Sequence, residues 1–196
     1  MIHLVAVGLV ARPILEFLAL VLEDDLAMTC AISPHRIDVS DAYDPMRQQY
    51  HSSRILAHLV ERENDLLLPS AADPPDQEKI LGVADVDLFI PILTFVFGQA
   101  QLGRRAAVVS VYRLRQQFYG LPEDEALFLE RCEKEALHEL GHTFGLVHCQ
   151  NYECVMHYSN SIEQVDLKSN RFCTACARLL PGPPFQAQMR LRGNRL

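Results

Sequence analysis

No stretch near the start of this 196-residue chain is apolar for long enough to cross a bilayer. The run from Leu4 to Ala11 falls far short of the ~20 residues a spanning helix needs, and Arg12 and Pro13 follow it. Only Met1, Ile2 and His3 precede that run, so the basic stretch that opens a secretory leader is missing and the expectation is a cytoplasmic protein. An excess of positive charge is missing too. Eighteen Lys and Arg stand against 25 Asp and Glu, a formal net charge of −7, which is the wrong sign for a nucleic-acid backbone or an anionic membrane as main partner. Low-complexity tracts are absent as well. With 49% hydrophobic and 22% charged residues the chain is of ordinary globular composition, and its length leaves room for one domain, or one domain and a small appendage.

The first hundred or so residues alternate strand-like and helix-like patterns, the mark of an α/β layer structure. IHLVAVGL (2–9) reads as a strand covered on both faces. A helix follows over 13–25, with Pro13 in its first turn and Ile14, Leu18, Val21 and Leu22 at helical spacing. A second strand spans 27–33 and ends at Ser33-Pro34, and a second helix runs from Pro45 to about Arg62. SAADPPDQ (70–77) is a loop by its prolines. ILGVADVDLFI (80–90) reads as one strand with Asp85 and Asp87 on its polar face, where hydrogen-bonded structural carboxylates are favoured over a cation site. Segments 95–103 and 106–114 form a hairpin whose first, more polar strand, with Gly98 and Gly103, is the candidate sheet edge. Pro122, with Glu123, Asp124 and Glu125 behind it, starts a helix to about Phe144 that buries Phe128, Cys132, Ala136, Leu140 and Phe144. Beyond 145 the periodicity is lost, and that segment looks too irregular to build a conventional core.

The chemistry sits at the end of that helix. His138-Glu139-Leu140-Gly141-His142 is H-E-x-x-H, which puts two imidazoles on one helix face, one turn apart, with Glu139 beside them. Such a pair suits one zinc ion, and the carboxylate suits a general base acting on water. Gly145 then allows a left-handed turn, from which His148 can swing back as a third ligand. Four of the six cysteines, Cys149, Cys154, Cys173 and Cys176, cluster near the C-terminus in a spacing that favours metal ligation over disulfides in a reducing compartment. Cys30 and Cys132 lie in a strand and on an apolar helix stripe, where packed thiols are the default.

HELGHTFGLVH (138–148) followed by Met156 resembles the metzincin clan of zinc peptidases. HELGHTFGLVHCQNYECVM, continuing to FCTAC (172–176), together with FGQAQLGRRAAVVSVYRL (97–114), is similar to the archaemetzincin family within it. The resemblance covers most of residues 80–180. It implies a mixed, mostly parallel sheet with an antiparallel edge strand, a long active-site helix, and a small irregular zinc-stabilised subdomain at 146–196 after an N-terminal part at 1–145. It also implies two zinc ions per chain: a catalytic one on His138, His142 and His148, and a structural one on Cys149, Cys154, Cys173 and Cys176. The activity implied is zinc-dependent hydrolysis of peptide bonds with Glu139 as base. A peptide or protein substrate would add along the 95–102 edge, and a monomer is favoured. Met156 is expected to pack beneath the metal and His157 to be a solvent-exposed neighbour. Tyr158 is either a phenol that steadies the tetrahedral intermediate or a core or rim aromatic. The alternative is a two-zinc protein of the same fold that binds peptides or partners with low turnover.

Overall fold

The structure, a computed structural model, describes residues 1–62, 65 and 78–180. Strands β1 (Ile2–Val7), β2 (Cys30–Ile37), β5 (Lys79–Ala84), β7 (Gly98–Ala100) and β8 (Ala106–Ser110) make one five-stranded sheet in the order β2-β1-β5-β8-β7. Every pairing in it is parallel except β7 with β8. Strands β3 (Tyr43–Asp44), β4 (Gln49–His51) and β6 (Leu88–Phe89) form a small second sheet.

The period of two along each central strand divides the molecule into layers. Ile2, Leu4, Leu81, Val83, Ala107 and Val109 face helices α1 (Arg12–Leu26) and α3 (Glu125–Thr143) in one core, while Val5, Val7, Ile80 and Val108 meet α2 (Ser52–Glu61) in another. Both faces of β5 are therefore buried, as a parallel strand requires. No helix among the described residues is long and apolar enough to cross a membrane.

Several boundaries differ from the sequence reading. β2 runs on through Ser33-Pro34 to Ile37, because it is a sheet edge and its register with β1 shifts between Leu4 and Ala6, where the proline is accommodated. The helix expected from Pro45 begins only at Ser52. Residues 43–51 instead form the β3–β4 hairpin, whose Tyr50 pairs with Leu88. The single strand expected over 80–90 breaks after Ala84, since Asp85 and Asp87 are drawn off by Arg115 and Arg113 in two-pronged ion pairs. These are the structural carboxylates anticipated, not a cation site. The 70–77 loop lies outside the described residues.

Helix α3 starts later than expected. Asp124 is its N-cap, accepting from the Leu127 N–H at 3.0 Å, and Pro122 and Glu123 precede the helix. The segment beyond residue 145, with short helices α4 (Ile162–Leu167) and α5 (Thr174–Ala177), does contribute to a conventional core. Val155, Met156, Ile162, Val165, Phe172 and Leu180 are buried in the same cluster as α1 and α3.

Candidate metal centres and cleft

Helix α3 runs beneath β7, and its last two turns carry His138, Glu139 and His142. The helix ends in a glycine turn: Gly145 adopts φ +92°, and the Gly145 and Leu146 N–H groups donate back to the His142 and Gly141 carbonyls. That reversal brings His148 alongside, its ring centroid 5.3 Å from His138 and 4.9 Å from His142. Nitrogens of the three rings all lie within 4.8 Å of one another.

The tautomers follow from the partners. His138 Nδ1 meets the Val155 carbonyl at 2.8 Å and His142 Nδ1 meets the Leu146 carbonyl at 2.7 Å; a carbonyl only accepts, so each Nδ1 carries the proton. Both Nε2 atoms are then lone-pair acceptors, yet they face each other at 3.1 Å. Two lone pairs so close repel unless a cation satisfies both, so the donor set fits a metal such as zinc. Burial lowers the pKa of all three imidazoles, most strongly at His138, where the nearby Lys168 charge adds to it; each is kept neutral and ready to ligate.

Glu139 is buried between these histidines and the edge strand. Its Oε2 has no hydrogen-bond partner among the described residues. Burial, and next the Glu135 carboxylate, push its pKa well above the usual range, against the opposing charge of Lys168. Beneath it lies an ion pair that sequence reasoning missed: Lys168 Nζ sits 2.7 Å from Glu135 Oε1, with side chains 0% and 3% exposed. Glu135 stands one turn before His138 on the same helix, a spacing that was available as a signal. Nothing in the sequence marks Lys168 as buried.

Met156 is wholly buried under the helix. A methyl at Gly141 would overlap its Sδ, so the glycine inside H-E-L-G-H is needed to seat the thioether, which packs as anticipated. His157 departs from expectation, being half-buried with its Nδ1 against the Cys149 carbonyl at 2.9 Å. Tyr158 is on the rim, 41% exposed, its ring 5.1 Å from His148.

The four cysteine sulfurs also lie within 4.8 Å of one another. Cys149 and Cys173 Sγ are 3.8 Å apart, the separation of ~3.8 Å that tetrahedral Zn–S bonds of about 2.3 Å would give. Burial works to raise the Cys173 thiol, but hydrogen bonds from Cys176, Cys149 and Cys154 outweigh it and bring it down to about 7, toward the ligating thiolate. Burial raises the Cys154 and Cys176 thiols of the same cluster, as it raises Cys30, up to about 12, and Cys132; what sets Cys30 and Cys132 apart is place, since they lie in β2 and on α3 and neither belongs to a donor cluster among the described residues. The two donor clusters are joined by backbone. The Cys149 N–H donates to the Met156 carbonyl, and Val155, whose carbonyl orients His138, donates its N–H to Arg171.

A cleft of ≈ 420 Å³ opens over the histidines, with β7, Phe95 and Phe97 on one side and Val147, His148 and Tyr158 on the other. Because β7 ends the sheet order and pairs only with β8, the backbone groups of Gly98 and Ala100 point outward: the Phe97 carbonyl and the Gln101 N–H are already used by β8.

Solved structures share this architecture. A zinc-dependent peptidase from Methanocorpusculum labreanum superposes with a TM-score of 0.77 at 33% identity, covering 92% of this chain and 100% of that one. An archaemetzincin from Archaeoglobus fulgidus, complexed with malonate, gives 0.74 at 36% identity with the same coverage. In sequence, an archaemetzincin of Methanocaldococcus jannaschii is 41% identical over 175 residues, 89% of each chain. The profile of peptidase family M54 matches residues 28–181, a span that takes in both donor clusters, the edge strand and the helix between them, and the chain belongs to that family.

Proposed function

We propose that the zinc-dependent peptidase activity of this family is carried here by Glu139, by the imidazoles of His138, His142 and His148, and by the β7 edge. The observation that supports this most directly is the pair of Nε2 lone pairs facing each other at 3.1 Å with both Nδ1 protons committed to carbonyls. Zinc held there would act as a Lewis acid, polarising the scissile carbonyl and making water nucleophilic at neutral pH. The two backbone carbonyls fix the tautomer and orientation of the His138 and His142 rings, while burial keeps them neutral.

Glu139 takes the proton from the attacking water at its unpartnered Oε2 and hands it to the departing amine. Burial raises its proton affinity, which suits a group that must first accept and then release. The substrate backbone aligns as an extra strand on β7, meeting the outward groups of Gly98 and Ala100. Such binding reads main chain more than side chains. Tyr158, on the opposite rim, is placed in this reading to donate its phenol to the developing oxyanion.

The four cysteines would hold a second, structural zinc, giving two per chain. The test is metal analysis paired with cleavage of a quenched fluorescent peptide library. Two zinc ions per chain are expected, with defined cleavage products from the wild type and none from zinc-loaded Glu139→Ala. One zinc or none after reconstitution overturns the two-site reading, and retained hydrolysis in the variant overturns the assigned base.

A further inference from the structure

Phe95 and Phe97, which line the cleft, begin a row of rings that continues beyond the cleft lining: Phe97 and Phe95 lie edge to face at 5.2 Å, and the Arg113 guanidinium stacks over Phe95 at 4.2 Å and over Phe118 at 4.7 Å. Phe118 in turn touches Tyr119 at 5.0 Å and Tyr112 at 5.6 Å. The row is rigid because Asp87 grips Arg113 with both carboxylate oxygens, and the Tyr119 hydroxyl donates to the Arg113 carbonyl. Yet its outer face is open: Tyr112, Phe118 and Tyr119 are 41%, 39% and 38% exposed. Three contacting aromatics left this open form a patch, not scattered surface apolars.

Backbone pairing along the edge gives out where the rings begin. The Val96 N–H is committed to the Leu88 carbonyl, and the Thr94 carbonyl accepts from the Arg47 guanidinium and the Gln49 amide. A strand laid on Gly98 and Ala100 that continues past Phe97 therefore loses main-chain partners and can be held only by its side chains. Followed contact by contact from Phe97 through Phe95 and Arg113 to Phe118, the row spans at most about 14 Å, no more than about four residues of extended chain. Asp87 neutralises Arg113, so the row favours apolar over acidic side chains.

We propose that this aromatic row is an extended subsite of the same cleft, which takes apolar and aromatic side chains of the peptide substrate about three to four residues from the scissile bond, on one side of it only. The proposal rests on the reading of the cleft as the peptide site, and the experiment separates the two. A short fluorogenic substrate is compared with versions lengthened by four residues at either end, the added residues being Phe and Leu or Ser and Gly. Apolar lengthening at one end should raise kcat/KM roughly tenfold, the scale of one buried aromatic contact, chiefly through KM. The long-to-short ratio should fall to near one in Phe118→Ala and in Tyr112→Ala, the second of which leaves the Arg113 stack in place should the first variant fold poorly. A ratio near one in the wild type, or a ratio that survives both substitutions, overturns the subsite. If the wild type cleaves none of these peptides, the peptidase reading has failed. Fluorescence anisotropy with the same labelled peptides then decides the subsite alone: tighter binding of the apolar extension that vanishes in the variants supports it, and equal binding of all extensions overturns it.

Discussion

Gly98 and Glu139 are in contact so close that no side chain fits between them. A methyl on Gly98 would come within 2.6 Å of Glu139 Cγ, of its Oε1 and of the Val108 carbonyl. The proposed general base and the strand proposed to receive the substrate are thus fitted to each other directly. Gly98→Ala must displace either the carboxylate or the edge strand, since the carbonyl of the neighbouring strand cannot yield. The expected outcome is a loss in kcat/KM of about a hundredfold, on the order of 3 kcal/mol in the barrier, with zinc content unchanged. Steady-state kinetics with metal analysis checks it; full activity would show that the contact relaxes at no catalytic cost.

Tyr158→Phe separates the two roles open to that ring. If the phenol meets the oxyanion, kcat falls about tenfold to a thousandfold while KM stays within a factor of a few. Equal kcat returns Tyr158 to the rim, where its contact with His148 is packing alone.

Cys173→Ser tests whether the thiol cluster clamps the third histidine. Cys149 follows His148 directly, and the Cys149–Met156 and Val155–Arg171 backbone bonds carry any loosening of the cysteines toward His138 and His148. Loss of one zinc, a drop in Tm of at least about 5 °C and faster proteolysis of the C-terminal segment are expected together, with weaker zinc retention at the histidines in a chelator competition. Unchanged retention at the histidines would mean that helix and sheet organise that site unaided.

Asp25 predicts a pH dependence of stability. Burial, and then its hydrogen bond and charge contact with Glu133, push its carboxyl from 3.8 to about 7, against the pull of Arg171. Between about pH 4 and pH 7 the folded chain therefore holds a proton that the unfolded chain has released, so this group's contribution to stability falls as pH rises through that window. Tm measured from pH 5 to 8 should decline, and Asp25→Asn should flatten the decline. An identical profile in the variant would remove Asp25 as its source.

The two clusters of candidate metal donors were legible in the sequence because their geometry is local. His138 and His142 are set by one helix turn, His148 by the Gly145 reversal, and the cysteines by close spacing. The edge strand was legible too, from its glycines and polarity. What escaped depends on partners distant in sequence. Tyr50 has a helix-like neighbourhood but pairs with Leu88 as a strand, so tertiary pairing overrides the local period. Asp85 and Asp87 leave their strand for arginines about thirty residues on. The fit of Gly98 to Glu139 and the burial of Lys168 against Glu135 arise only when sheet, helix and C-terminal segment meet.

One joint ties the edge hairpin to the helix beside it. The Gly103 N–H, in the turn between β7 and β8, donates to the His142 carbonyl at 2.9 Å, and Gly103 and Gly145 approach so closely that a Cβ on Gly145 would sit 4.0 Å from the Gly103 Cα. The edge hairpin is thereby tied to the end of α3 beside His142, and its other end is tied to the second sheet, where the Val96 N–H donates to the Leu88 carbonyl. The strand proposed to receive the substrate is thus anchored at both ends, so a peptide must fit an edge already set in place and cannot draw it inward.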